Sequence, residues 1–291
     1  MAKDDLLSTL HAATKDAEEV VYSVNRMGYT IDGKHYRRVT SMLGGGIPKP
    51  ALVGWGIKAT SEYAWEHRDV WSKLNKTDAI KLLKGSPYSQ RDDAAARGTA
   101  VHKTLEALLG STPMPQDLTE DEQACADAAA DFLAQRDSRH LGTEITVFND
   151  SMGYAGTLDL WEIDRDGTTW ILDYKTSKSG IFPDMAIQQV AYQRAEFALV
   201  RARSMVGLIP GNDTISAAKV IPWSREYAER LGIVHVTPEG ATLHPIKDPD
   251  GLVPILESAA RISQWLADTN SYRKTPREHV YEDPITSQGV E

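Results

Sequence analysis

Two apolar strand-like segments, Ala155-Gly156-Thr157-Leu158-Asp159-Leu160-Trp161 and Trp170-Ile171-Leu172-Asp173-Tyr174-Lys175-Thr176, each carry a carboxylate where a hydrophobic side chain is expected. A lone buried carboxylate is costly, so the fold must supply each with a partner. In the second segment Asp173 and Lys175 are two residues apart, and strand side chains alternate, so both face the same side. If the two strands are neighbours, Asp159 and Asp173 converge. Carboxylates held that close repel unless a proton or a cation lies between them. A hard cation with oxygen ligands, Mg²⁺ or Mn²⁺, is the natural bridge. A plain salt bridge from Lys175 to either aspartate is the competing reading.

The pattern before this pair is mostly helical. Apolar spacing predicts an amphipathic helix over Asp4 to Val24, then a hairpin in which Asp32-Gly33 joins Tyr29–Ile31 to Lys34–Val39. Gly44 to Pro50 reads as loop. A helix follows over Ala51 to Trp71, whose Trp55, Tyr63, Trp65 and Trp71 read at helical spacing as core, with stacking on bases the alternative, and then a shorter one over Lys76 to Lys84. Another helix runs from about Arg91 to Leu109, and Thr119 to Glu122 form a capping box that opens a helix to about Asp137.

The period then changes to strands at Glu144–Phe148, Ala155–Ile163 and Thr169–Tyr174. A helix over Pro183 to Arg201 and a strand over Ser204 to Ile209 come next, and Pro210 to Arg230 reads as an insertion. Strands at Ile233–Val236 and Ala241–Pro245 precede a last helix over Pro249 to Ala267. From residue 91 the order is that of an α/β module in three layers, a central mixed sheet flanked by helices. The expected division is an N-terminal helical and hairpin extension over 1–90, a core over 91–270 and a flexible tail over 271–291.

Composition narrows the chemistry. Cys125 is the only cysteine, which excludes an internal disulfide and any four-cysteine zinc or iron–sulfur site. Gly44-Gly45-Gly46 lacks the Gly-Lys-Ser/Thr of a phosphate loop, so no ATP-binding motor is expected. His11, His35, His67 and His140 have no zinc-spaced partners. No apolar stretch is long enough to cross a membrane and Met1 to Asp5 lack a secretory pattern, so a cytoplasmic protein with no membrane partner is expected. The net charge of −9 opposes nucleic-acid binding in general, although Lys34, His35, Arg37 and Arg38 form a local basic cluster, and Lys175, Lys178 and Arg194 flank the later motifs.

Taken in order, several short motifs resemble the PD-(D/E)XK nucleases, and within them the RecB-like group of CRISPR-associated and bacteriophage exonucleases. Arg97-Gly98-Thr99-Ala100-Val101-His102 resembles the helical glycine-to-histidine motif, and Glu144 the acid on the first strand. Gly156-Thr157-Leu158-Asp159 resembles G-x-x-D, Asp173-Tyr174-Lys175 resembles (D/E)-x-K, and Gln188 to Tyr192 resembles the Q-x-x-x-Y helix. The likeness covers about residues 91 to 200, with a vaguer one from Arg37 to Tyr63 to the leading region of phage exonucleases.

It implies a restriction-endonuclease-like fold and a metal-dependent DNA exonuclease acting in recombination, repair or phage DNA processing. His102, Asp159, Asp173 and the Tyr174 carbonyl would be metal ligands for one or two Mg²⁺ or Mn²⁺ ions. Lys175, with Asp173, Asp159 and Glu144, would be catalytic, Lys175 orienting or deprotonating the attacking water. Gln188, Tyr192 and Arg97 would hold substrate. The implied partners are DNA and a single-strand-annealing or other recombination protein. Lacking the cysteines, this chain would be a member without an iron–sulfur cluster. The same residues would also serve a structure-specific endonuclease, and their silencing would leave a DNA-binding or scaffold module.

Overall fold

A computed structural model of the chain describes residues 17–25, 28–109, 112–177, 180–208 and 214–269, and of 88–95, 201–208 and 214–217 the backbone alone. Its centre is an antiparallel run of β4 (Arg139–Asn149), β5 (Tyr154–Ile163) and β6 (Thr169–Lys175), joined by tight connections. β9 (Arg230–Thr237) lies parallel to β6, and β10 (Gly240–Pro245) closes that side antiparallel to β9. The other side is built from β1 (Glu19–Asn25), β2 (Gly28–Ile31), β3 (Lys34–Arg38), β7 (Phe197–Leu208) and β8 (Thr214–Pro222).

Together they form one mixed ten-stranded sheet in the order β10-β9-β6-β5-β3-β2-β1-β8-β7-β4. Because β4 pairs with β5 as well as with β7, the stretch from β5 round to β4 closes on itself as a ring of seven strands. β5 has two partners on its second edge. β6 takes Leu160 to Ile163, and β3, running parallel, takes Tyr154 and Ala155. Between them the edge of β5 forks.

Helices cover both faces of the sheet where it extends beyond the ring, and one of the two layers reaches over β4 and β5 of the ring as well. α4 (Lys76–Leu108) and α5 (Glu120–Arg136) bury Val101, Leu105, Ala129 and Leu133 against Leu160, Leu172, Tyr174 and Val234. Opposite them, α1 (Val39–Gly46), α6 (Pro183–Gln193) and α7 (Val253–Thr269) pack Met42, Val190, Tyr192 and Leu256 on Val147, Leu158 and Ile171. A third cluster fills the ring with Tyr22, Tyr29, Tyr36, Phe148 and Leu199. α2 (Pro50–Glu66) and α3 (Arg68–Trp71) stand apart, packed mainly on each other and on α4.

The structure is α/β with a large mixed sheet, as the strand and helix order predicts. Several elements differ from expectation. Glu19–Asn25 is a strand and not the end of a helix, because β8 and β2 pair with both of its edges, and 4–16 of that expected helix lie outside the described residues. Gly44 to Gly46 form the last turn of α1 and not a loop. A Cβ on Gly46 would stand 2.2 Å from the Ala259 carbonyl oxygen, so the bare glycine is what lets α1 lie against α7.

The two helices expected at Lys76–Lys84 and Arg91–Leu109 are one 33-residue helix that runs through Pro87. The helix from Pro183 stops at Gln193, and 197–201, expected to be helical, begin β7. The expected insertion supplies β8, which completes the ring. Trp65 is 83% exposed and not core, and Ala59 is the only buried residue of α2. No helix among the described residues is long and apolar enough to cross a membrane. Lys178 and the expected tail lie outside the described residues.

Candidate functional site

The strand register aligns three acidic residues. Pairing of Thr143 with Leu160 and of Ile145 with Leu158 sets Glu144 opposite Asp159, and pairing of Leu160 with Leu172 sets Asp173 next in line on β6. A regular strand would keep Leu158 and Leu160 on one face. They belong instead to different clusters, Leu158 beneath α6 and Leu160 beneath α4 and α5. β5 therefore changes face at Asp159. On β4, Glu144 takes a positive φ of 51°, costly for a residue with a Cβ, at the matching position. The carboxylate pair thus occupies a paired break in two adjacent strands, beside the fork where β6 leaves β5.

That break opens the site to both helix layers. From α4, His102 Nδ1 stands 3.7 Å from Asp159 Oδ2 and 3.9 Å from Glu144 Oε1. Both distances are too long for hydrogen bonds. They suit a shared cation, since ligands ~2.1 Å from an octahedral ion sit ~3 Å apart when adjacent and ~4 Å apart when opposite. Donor atoms of His102, Glu144 and Asp159 all lie within 4.8 Å of one another. A void of about 10 Å³ beside them, bounded also by Leu105 and Tyr174, is at the lower limit of what one water occupies. The donor set, one imidazole and two carboxylates, fits a hard or borderline divalent ion.

From the opposite layer, Gln188 Nε2 donates to Asp173 Oδ1 at 3.3 Å and to the Tyr192 hydroxyl at 2.7 Å. Asp173 is 1% exposed, and its other oxygen contacts the Lys175 ammonium. Asp173 is thus engaged by Lys175 and Gln188 and lies outside the three-donor group, so its recruitment to a cation requires the pair with Lys175 to open. Tyr174 contributes its backbone N–H, which donates to Asp159 Oδ2 at 2.8 Å, while its ring packs against Phe132 on the α5 side. Arg97 precedes His102 by five residues, ~140° around α4 from it, and stands near Glu122 at the start of α5.

Electrostatics follow from this crowding. Burial, then the neighbouring Asp173 charge, push the Asp159 carboxyl up to about 6, against the pull of His102, Lys175 and the Tyr174 N–H. For Lys175, burial disfavours the ammonium, but Asp173 and Asp159 outweigh it and its pKa is raised, so it stays charged. Burial, with Asp173 and Asp159 nearby, raises the Tyr192 phenol well above its ordinary value.

Some contributions are not visible in the motifs alone. A Cβ on Gly156 would stand 2.4 Å from Tyr192 Cε1, so this glycine is what lets the tyrosine ring lie on β5, three residues before Asp159. His235, next to Lys175 in register on β9, meets the Ser177 carbonyl at 2.8 Å and fixes the chain leaving β6. Beside Glu144 a cleft of about 360 Å³ opens at the mouth of the ring, lined by Tyr29, Arg38, Thr146, Thr157 and Tyr192. Tyr29 and Thr157 hydroxyls there lie 3.0 Å apart. Neither Thr157 nor Tyr29 carries a sequence signal beyond its place near a motif. No family model matches the chain, and no curated protein matches it.

Proposed function

We propose that the chain is a metal-dependent deoxyribonuclease of the PD-(D/E)XK kind, RecB-like, with a restriction-endonuclease-like core and exonuclease action on DNA. The observation that carries this reading is the alignment of Glu144, Asp159 and Asp173 across three neighbouring strands, with Lys175 against Asp173 and His102 facing the other two acids. Three acids so close, one of them pushed up to about 6, form a site that a divalent cation stabilises.

His102, Glu144 and Asp159 would hold Mg²⁺ or Mn²⁺. Bound there, the ion would lower the pKa of water and polarise a phosphoryl oxygen. Lys175, kept as an ammonium, acts as a charged donor that positions water or a phosphate oxygen and not as a base. Gln188 keeps Asp173 aimed at Lys175, and Tyr192, packed on Gly156, fixes Gln188. Tyr174 holds Asp159 through its backbone N–H.

End-labelled linear DNA and covalently closed circles, incubated with Mn²⁺, Mg²⁺ or EDTA, test the reading. Release of nucleotides from the linear substrate alone, abolished by EDTA, is expected, and cutting of circles would instead make the enzyme an endonuclease. Asp173→Ala and Lys175→Ala should each slow release by roughly 10²–10³-fold. Parent-like rates in either variant, in the same metal, would refute the assignment.

A further inference from the structure

Resting on the nuclease reading, we infer that α2, α3 and the first half of α4 form a guide that holds a single nucleic-acid strand outside the reaction centre. Segment 49–84 carries seven lysine and arginine residues against four acidic ones, in a chain whose net charge is −9. Lys58, Arg68, Lys73, Lys76, Lys81 and Lys84 are all exposed. Among the described residues, seven of the fifteen exposed large hydrophobic side chains fall between Leu52 and Ile80, with Trp65 the most exposed at 83%. Cations and apolar groups are therefore interleaved on one small helical unit.

This combination selects its occupant. A second copy of the chain would set one basic surface against another, which opposes association. A duplex keeps its bases stacked inside and offers an exposed indole little to stack on. A single strand presents a phosphate line and flat apolar bases together, which is what lysines alternating with Trp65 and its neighbours can hold.

The unit is rooted beside the site, and the helix that ends it continues back to the site. Lys49 Nζ, at the root of α2, lies 2.7 Å from Asp184 Oδ2 in the first turn of α6, one turn before Gln188. Asp184 is near enough to Lys175 to raise its pKa. α4 runs from Lys76 back to His102, and at ~1.5 Å per residue those 26 steps span ~40 Å. A strand lying along this surface is led toward the carboxylates, and a very short one does not reach its far end.

Fluorescence anisotropy of a labelled 20-nucleotide single strand, measured in EDTA over a series of salt concentrations, tests the guide. The triple variant Lys73→Glu, Lys76→Glu, Lys81→Glu should weaken binding about a hundredfold and flatten the slope of log affinity against log salt by about two. Trp65→Ala should weaken it about tenfold with the slope unchanged, the loss expected of one stacking partner. Both losses should be large on the 20-mer and small on a trinucleotide. Parent-like binding of the 20-mer by both variants overturns the guide. So does an equal loss on a 20-base-pair duplex, or a dimer in sedimentation that the triple variant abolishes. If the parent cleaves no DNA in Mn²⁺ yet loses strand binding in these variants, the guide stands and the nuclease reading fails.

Discussion

Outside the ring, where β6, β9 and β10 extend the sheet, helices lie on both faces and the interior accepts charge. Glu162, fully buried, is met there by Arg136 and by Ser138 Oγ at 2.5 Å, and Arg136 in turn stacks 4.8 Å from the Trp170 ring. Inside the ring the sheet is its own cover and the filling is aromatic. Phe148 stacks on Phe197 at 4.9 Å and meets Tyr36 edge-on at 5.0 Å. The candidate site lies on the seam between the two, and the difference explains why. The ring encloses its own aromatic core, and its mouth is left open as a cleft. The helix-covered half supplies His102 from one layer, against Glu144 and Asp159, and Gln188 from the other, against Asp173, and the fork of β5 is where the two layers meet one line of acids.

Opposite kinds of damage should break the two halves. Glu162→Gln leaves the Arg136 charge buried and unmatched, and should cost ~3–5 kcal/mol in urea unfolding. Phe148→Ala should cost a similar ~3–5 kcal/mol by leaving a cavity among the ring aromatics. A loss below ~1 kcal/mol for Phe148→Ala would mean that the ring is not an independent source of stability.

The seam should reveal itself through pH. The unfolded chain releases the Asp159 proton near the ordinary 3.8, whereas the folded protein holds it up to about 6. Between those values the folded state binds the extra proton, so metal-free protein should lose stability as pH rises from about 4 to about 6, by on the order of 3 kcal/mol. Unfolding midpoints in EDTA across that range would measure it, and Mn²⁺ should restore the loss at pH 7. Asp159→Asn should flatten the slope, and an unchanged slope in that variant would assign the proton elsewhere. Gly156→Ala should have the smallest effect on stability, ~1–3 kcal/mol from pressing a methyl group into the Tyr192 ring. Slowed DNA cleavage in that variant, beyond what its melting temperature explains, would sharpen the role of Tyr192 in fixing Gln188.

The two aspartates of the seam, and several features elsewhere, were legible because their signals are local. Asp159 and Asp173 stand out from apolar strands, Asp32-Gly33 marks a hairpin, and Thr119 and Glu122 form the capping box their spacing announces. The ring was not legible, because its closing pairs join β1 to β8 and β4 to β7 across long stretches of chain. Val20 and Val21, read alone, suit a helix, and only their partners Ala218 and Ala217 make them a strand. The exposure of Trp65 also escaped, since helical spacing predicts an apolar stripe and says nothing of whether the fold covers it. Asp173 was foreseen as a metal ligand, and its engagement by Lys175 and Gln188 depends on side-chain geometry that no motif encodes.

The reversal of face at Glu144 and Asp159 makes the spacing of the chain matter more than its spelling there. A point change in the turn at Asp150 to Gly153 leaves the two strands in step. Deleting one residue from β4 or β5 between the turn and the acids would slide one partner past the other and send the two acids to opposite sides. Variation in this region should therefore fall on residue identity in the turn and spare the number of residues on either strand.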